Sequence, residues 1–171
     1  AIGYSSLESN TTANNNTAVG YQTLLANTTG TDNVAVGAEA LENNTTASNN
    51  TALGRIALFT NTTGASNTAM GSTAMRFNTT GAENDAFGSL TLDALTTGFG
   101  NAAFGRDALG SVTSGSLNTG IGVNSGNSIT TGVRHITIGQ AAGTNLVGGN
   151  DCIAIGEGTN FSSTTAASQI V

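Results

Sequence analysis

His135 and Cys152 are the single histidine and the single cysteine of the chain, one repeat period from each other. A thiol beside an imidazole is the start of a nucleophile with its base, or half of a zinc site. Either chemistry needs more: a metal wants further ligands, and a base wants a group to orient it. Neither a second His nor a second Cys exists. The ten carboxylates are scattered, no D-x-[DN]-x-[DN]-G or G-G-x-G-x-D calcium pattern occurs, and the chain has no Lys for a phosphate loop. No catalytic residue, metal site or cofactor is expected, and the chain is not expected to be an enzyme.

The repeat explains the pair better than chemistry does. The length is 171 = 10 × 17 + 1, and the sequence repeats with a period of 17 without insertion or deletion. Counting from the Asn of Asn16-Thr17-Ala18-Val19-Gly20 as column 0, the same place is held by Asn33, Asn50, Asn67, Asn84, Asn101, Asn118, His135 and Cys152. The histidine and the cysteine read as replacements in an asparagine column. Column 2 is small, from Ala1 and Ala18 to Ala154. Column 3 is large and apolar: Ile2, Val19, Val36, Leu53, Met70, Phe87, Phe104, Ile121, Ile138 and Ile155. Column 4 is always glycine: Gly3, Gly20, Gly37, Gly54, Gly71, Gly88, Gly105, Gly122, Gly139 and Gly156. Column 8 is Leu or Met from Leu7 to Leu109, and the coil closes on Asn-Thr-Thr-Gly in columns 11 to 14.

So short a unit cannot hold a helical hairpin, and no 3.6-residue apolar spacing crosses the glycines. A short segment ending in Gly, a second segment and a T-T-G turn predict one coil of an all-β, parallel β-solenoid. Residues 1–171 form one repeat region of ten coils, preferably a two-sided β-roll. Column 3 is expected to be its core and the column 4 glycines its corners. On that register Gly71→Val or Leu53→Asp should disrupt several coils. Asn in columns 0 and 11 is expected to stack in hydrogen-bonded ladders. In columns 8 and 11 the apolar residue changes place along the chain, from Leu7–Leu109 to Leu95, Val112, Ile129 and Leu146, so the core migrates across the coil.

Composition narrows the function. Net charge is −6, 8% of residues are charged and all four basic residues are Arg, which argues against a nucleic-acid surface. No apolar run is long enough for a membrane span. Two large apolar side chains per coil are a thin core against the entropy of ordering the whole repeat, which makes burial against further copies attractive. The small column 2 is the expected interface of a homo-oligomer. Ala1 falls in column 2 and Gln169-Ile170-Val171 in columns 0 to 2, so both ends lie inside a coil and the shaft is expected to continue in both directions.

The units N-T-A-V-G, N-V-A-V-G and C-I-A-I-G resemble the S-V-A-I-G-type repeats of trimeric autotransporter adhesin heads and repeats of bacteriophage tail fibres. The resemblance covers all ten coils. It departs in its longer period and in having mostly Thr in column 1. It implies a homotrimeric β-roll outside a cell or on a virion, a structural spacer with a host-surface receptor or glycan as a further partner. The alternative is an ice-binding solenoid, whose face would be the column 13 threonines Thr12, Thr29, Thr46, Thr63, Thr80 and Thr97 flanked by the column 11 asparagines. The Asn-Thr-Thr triplets also match the glycosylation sequon, incidentally to the repeat.

Overall fold

The computed structural model describes residues 1–171. It is an all-β parallel solenoid whose nine strands stack in chain order into one sheet: β1 Thr17–Val19, β2 Val34–Val36, β3 Thr51–Leu53, β4 Thr68–Met70, β5 Asp85–Phe87, β6 Ala102–Phe104, β7 Thr119–Ile121, β8 Ile136–Ile138 and β9 Ile153–Ile155. Every strand pairs in parallel with the next at a shift of one period, as in Ala18↔Ala35 and Ile138↔Ile155. Ile2 extends the ladder to the coil before β1.

Each coil carries one strand of three residues rather than the two strands of a β-roll. The remaining sides are turns that stack on themselves. Leu24 N–H donates to Ala40 O (3.1 Å), Ala26 N–H to Glu42 O (2.9 Å) and Thr28 N–H to Thr45 O (2.9 Å), and the pattern recurs up the rod. Sixteen of the 106 backbone hydrogen bonds run between strand residues, and turn backbone adds its own rungs from coil to coil beside them.

These turns need left-handed backbone. The ten column 4 glycines have φ between 123° and 149°, and a Cβ on Gly54 would lie 2.5 Å from the carbonyl oxygen of Gly71 one coil on. No L side chain fits there. Columns 6, 8 and 16 also sit at positive φ, mostly with non-glycine residues. Leu24, Leu41, Leu58, Leu92 and Leu109 hold φ near 51° while fully buried. An L residue costs about 1–2 kcal/mol in that region, which the burial of a leucine side chain offsets. Farther along, Gly126 and Gly143 take over column 8 at φ 61° and 66° without that cost. Ile129 and Leu146 in column 11 then fill the interior, and both are fully buried. Coils carrying Leu92 with Leu95, and Leu109 with Val112, bury both columns and bridge the change.

The interior is lined by columns 0, 2, 7, 8, 11 and 14. Ala18, Ala35, Ala52, Ala69, Ala86, Ala103 and Ala154 are at most 1% exposed, as are the column 8 leucines facing them. The Cβ position of Gly120 in column 2 lies 2.7 Å from Leu109 Cγ, which places the two columns face to face. This reverses the expected roles of columns 2 and 3. Ile2, Leu53, Phe104, Ile121 and Ile155 are exposed, and Val19, Val36, Met70, Phe87 and Ile138 are partly so. Successive strand residues point to opposite faces, and the narrow lumen, already filled from the turn side by leucine, admits only a methyl from the strand. Column 3 is therefore the outer face of the sheet, and column 2 cannot be an interface between chains.

Two substitutions read this geometry. Gly71→Val should lower stability by at least about 2 kcal/mol, because its side chain would run into the Gly88 carbonyl at φ 149°. Thr73→Gly, at a β-branched residue with φ 59°, should raise it by about 0.5–1 kcal/mol. Thermal denaturation followed by circular dichroism measures both.

Candidate functional site

The rod encloses no pocket, and no three His, Cys, Asp or Glu converge as a metal site would require. Its organised polar features are ladders. In column 0 the side-chain oxygen of each Asn accepts the backbone N–H of the next: Asn33 N–H to Asn16 Oδ1 (2.9 Å), Asn50 to Asn33 (3.0 Å), Asn67 to Asn50 (2.9 Å), and so on to Asn118. Each Nδ2 donates to a column 14 carbonyl, as Asn50 does to Gly64 O at 3.0 Å. The column is buried from Asn33 to Cys152.

His135 continues this ladder. Its N–H donates to Asn118 Oδ1 (2.9 Å), its Nδ1 accepts Cys152 N–H (3.2 Å), and its Nε2 lies 3.1 Å from Gly149 O. An acceptor at Nδ1 leaves the proton on Nε2, so the imidazole reproduces the acceptor and donor of the asparagine amide. Burial presses its pKa below the ordinary value, against the Gly149 carbonyl and Asp151, with Arg134 assisting burial. His135 meets Cys152 through the backbone amide; the thiol points to Asn150 O (3.5 Å).

The second ladder is shorter. Asn27, Asn44, Asn61 and Asn78 each donate from Nδ2 to the Oδ1 of the column 11 Asn one coil back, at 2.8–3.1 Å, and to the column 14 carbonyl that follows in their own turn. Leu95 has no donor to continue it, and Asn78 Oδ1 is left buried without a partner. Because these four asparagines are fully buried, they contribute nothing to an outward Asn-Thr array, and their sequon match has no accessible amide.

The threonines of the turn divide. Column 12 hydroxyls donate along the stack, as Thr45 Oγ1 does to Thr62 O (3.1 Å), and are half-buried. Thr12, Thr29, Thr46, Thr63, Thr80 and Thr97 in column 13 are exposed. Both columns lie in a turn whose inward positions are 11 and 14, so the opposite orientation that a strand would impose on adjacent threonines does not arise.

The outer sheet face is the larger surface. Columns 1 and 3 flank the buried alanines, and column 3 carries an apolar stripe along the whole rod, with Leu53 43%, Phe104 42%, Ile121 41% and Ile155 57% exposed. Val34, Ile136 and Ile170 add to it from column 1, and Asp85 is its one charge. Phe87 and Phe104 stack at 4.7 Å with rings 3° from parallel. Charged pairs stand elsewhere. Arg76 meets Asp93 at 2.8 Å and lies over the Phe77 ring, yet burial pushes the Asp93 carboxyl up. Arg134 grips Asp151 through two hydrogen bonds and holds that carboxyl low. No family model, curated protein or solved structure matches the chain.

The outward stripe was hidden in the sequence, although so short a strand leaves only two choices of inward face. The signal was the uniform smallness of column 2 opposite a leucine column.

The two ladders should respond differently to the same change. Asn50→Leu strands the Asn67 backbone N–H, whereas Asn61→Leu strands side-chain atoms alone, the Asn44 oxygen and one N–H of Asn78 Nδ2 whose other N–H keeps Gly81 O, and Gly64 O keeps one donor in either case. Because a stranded backbone N–H cannot turn to a new partner as a side-chain amide can, Asn50→Leu should cost about 1 kcal/mol more than Asn61→Leu in chemical denaturation.

Proposed function

We propose that the chain is a rigid structural segment of a fibre or surface adhesin, associating with copies of itself through the outer face of its sheet. The observation that carries this reading is the apolar stripe of column 3, continuous over ten coils on a rod roughly 48 Å long and widened by Val34, Ile136 and Ile153 in column 1. A stripe of that extent in water is an unsatisfied surface, and copies packed side by side would cover it in register. The likeness of its N-T-A-V-G units to adhesin-head and tail-fibre repeats points to three copies about the rod axis and to an extracellular or virion setting. In such a bundle the turn side, with its exposed threonines, stays outward and is the surface available to a host receptor or glycan. The work of the molecule is then mechanical: it holds other parts at a distance.

An ice-binding solenoid is the second reading, favoured by the exposed hydroxyl column Thr12–Thr97 at a coil spacing of about 4.8 Å. Its array is a single threonine wide, since the flanking asparagines are interior. Broad flat faces of fixed hydroxyls order water more effectively than one column in a turn.

Leu53→Asp and Phe104→Asp separate the readings. Both side chains project from the sheet face, so each variant should keep the β signal and melt within about 1 kcal/mol of the parent as a single chain. Association, measured as mass by light scattering, should fall from three copies to one. A parent that is a 16.8 kDa monomer and depresses the freezing point of water would overturn the fibre reading in favour of the second.

A further inference from the structure

The column 0 ladder is built from amides that do not titrate, with one interruption. Seven coils from Asn16 to Asn118 offer a side-chain oxygen to the next backbone N–H, and only at His135 is that acceptor a nitrogen that can take a proton. The imidazole is fully buried. Its Nε2–H is directed at Gly149 O, and the ring packs against Gly132. A proton on Nδ1 would face the Cys152 N–H at a distance where two donors repel, and that amide has no other acceptor within reach.

We propose that His135 is an acid-sensitive latch: protonation at Nδ1 breaks the rung to Cys152 and opens the coils that follow it, from β8 onward, while the asparagine-laddered coils before it stay closed. This goes beyond a spacer role and holds whether the chain stands alone or in a bundle.

The ionisable groups around the ring are few. Arg134 precedes it in the chain, and Asp151 occupies the same place on the next coil; the two are paired with each other at 2.6 and 2.9 Å. Cys152 stacks above in column 0. On the coil below, the corresponding positions are Leu117 and Asn118, which carry no charge. Arg134 disfavours the imidazolium and Asp151 favours it, and desolvation outweighs both in lowering the pKa. The sign follows. In the opened state the imidazole titrates near 6.5; in the closed state it does so lower. Closure is unaffected above about pH 7, weakens as pH falls through 6.5, and stops weakening below the folded pKa. Between those limits the open population grows roughly tenfold per pH unit.

Hydrogen exchange at single-amide resolution tests this, with rates referred to the intrinsic rate at each pH. From pH 7.5 to 5, protection of Cys152, Ile136 and Ile153 should fall by up to about tenfold per unit below 6.5, while Asn50, Asn67 and Asn84 keep theirs. His135→Asn restores the rung used by the other coils and should abolish the pH dependence without reducing protection at pH 7.5. A loss of protection spread evenly along the rod, or one that persists in His135→Asn, would overturn the latch. The imidazole 15N shifts at pH 7.5 give an independent check in the unmodified chain: a neutral ring protonated on Nε2 is expected, and a proton on Nδ1 would equally overturn it. None of these outcomes depends on how many chains associate, so failure here leaves the fibre reading standing.

Discussion

The rod depends on one constraint above all: the buried backbone N–H of column 0 finds its acceptor on a side chain a whole coil away. The Asn Oδ1 of column 0 reaches the backbone N–H at the same place on the next coil, and its Nδ2 reaches the column 14 carbonyl of the turn beyond. A coil longer or shorter by a single residue would present the wrong atom at that height and strand a backbone amide in the interior, a penalty that recurs at each rung. The unbroken period is the consequence. Strands this short could not enforce it alone, because a slip that moves each residue to the next position of the same face would preserve their inward and outward sides.

The same constraint accounts for the unusual backbone. A lumen lined by asparagine amides, alanine methyls and one leucine is thin, and closing it within one short repeat takes tight turns with left-handed residues in columns 4, 6, 8 and 16. Column 4 alone is glycine in every coil: its φ of 123–149° joins with the backbone of the next coil, which from Gly3 to Gly139 occupies the place of a Cβ. In column 8 the fold accepts strain to bury leucine, then drops both together at Gly126 and Gly143 while Ile129 and Leu146 restore the volume. Strain and packing are thus exchanged between columns at constant register. The shift of apolar residues from column 8 to column 11 was legible in the sequence because it needed only the periodic alignment.

What the sequence left open was direction. The period, the parallel solenoid, the glycine corners and the asparagine columns are properties of spacing, and spacing survives in one dimension. Whether column 2 or column 3 points inward is a property of the lumen's width, which depends on how far the turns carry leucine across it. Size alone suggested that the larger residue goes inside; the neighbours Ala52 at 0% and Leu53 at 43% exposure show the reverse. The number of strands per coil was equally hidden, since a turn segment that stacks by its own backbone has no alternating pattern to distinguish it from a strand. The candidate surface followed the same fate: its residues were named, but as core.

The two ladders show why one polar column gives way to apolar residues mid-rod while the other keeps its amides as far as Asn118. Gly30 O accepts both Asn16 Nδ2 (2.8 Å) and Asn27 Nδ2 (3.0 Å), and Ala47 O, Gly64 O and Gly81 O are doubly bonded in the same way. Removing the column 11 donor therefore orphans no carbonyl: Gly98 O keeps Asn84, Gly115 O keeps Asn101 and Gly132 O keeps Asn118 after column 11 has become Leu95, Val112 and Ile129. The only casualty is Asn78 Oδ1, the last acceptor of its own ladder. Column 0 has no such redundancy, because each oxygen also serves a backbone N–H with no other acceptor. A replacement that carries the ladder on must both accept and donate at nearly the amide positions, as the imidazole of His135 does with one ring nitrogen of each kind; Cys152, whose thiol turns to Asn150 O, ends it. His135 is thus the substitution that the ladder's own geometry permits, and it brings a titratable proton into a column that otherwise accepts its rungs on amide oxygens.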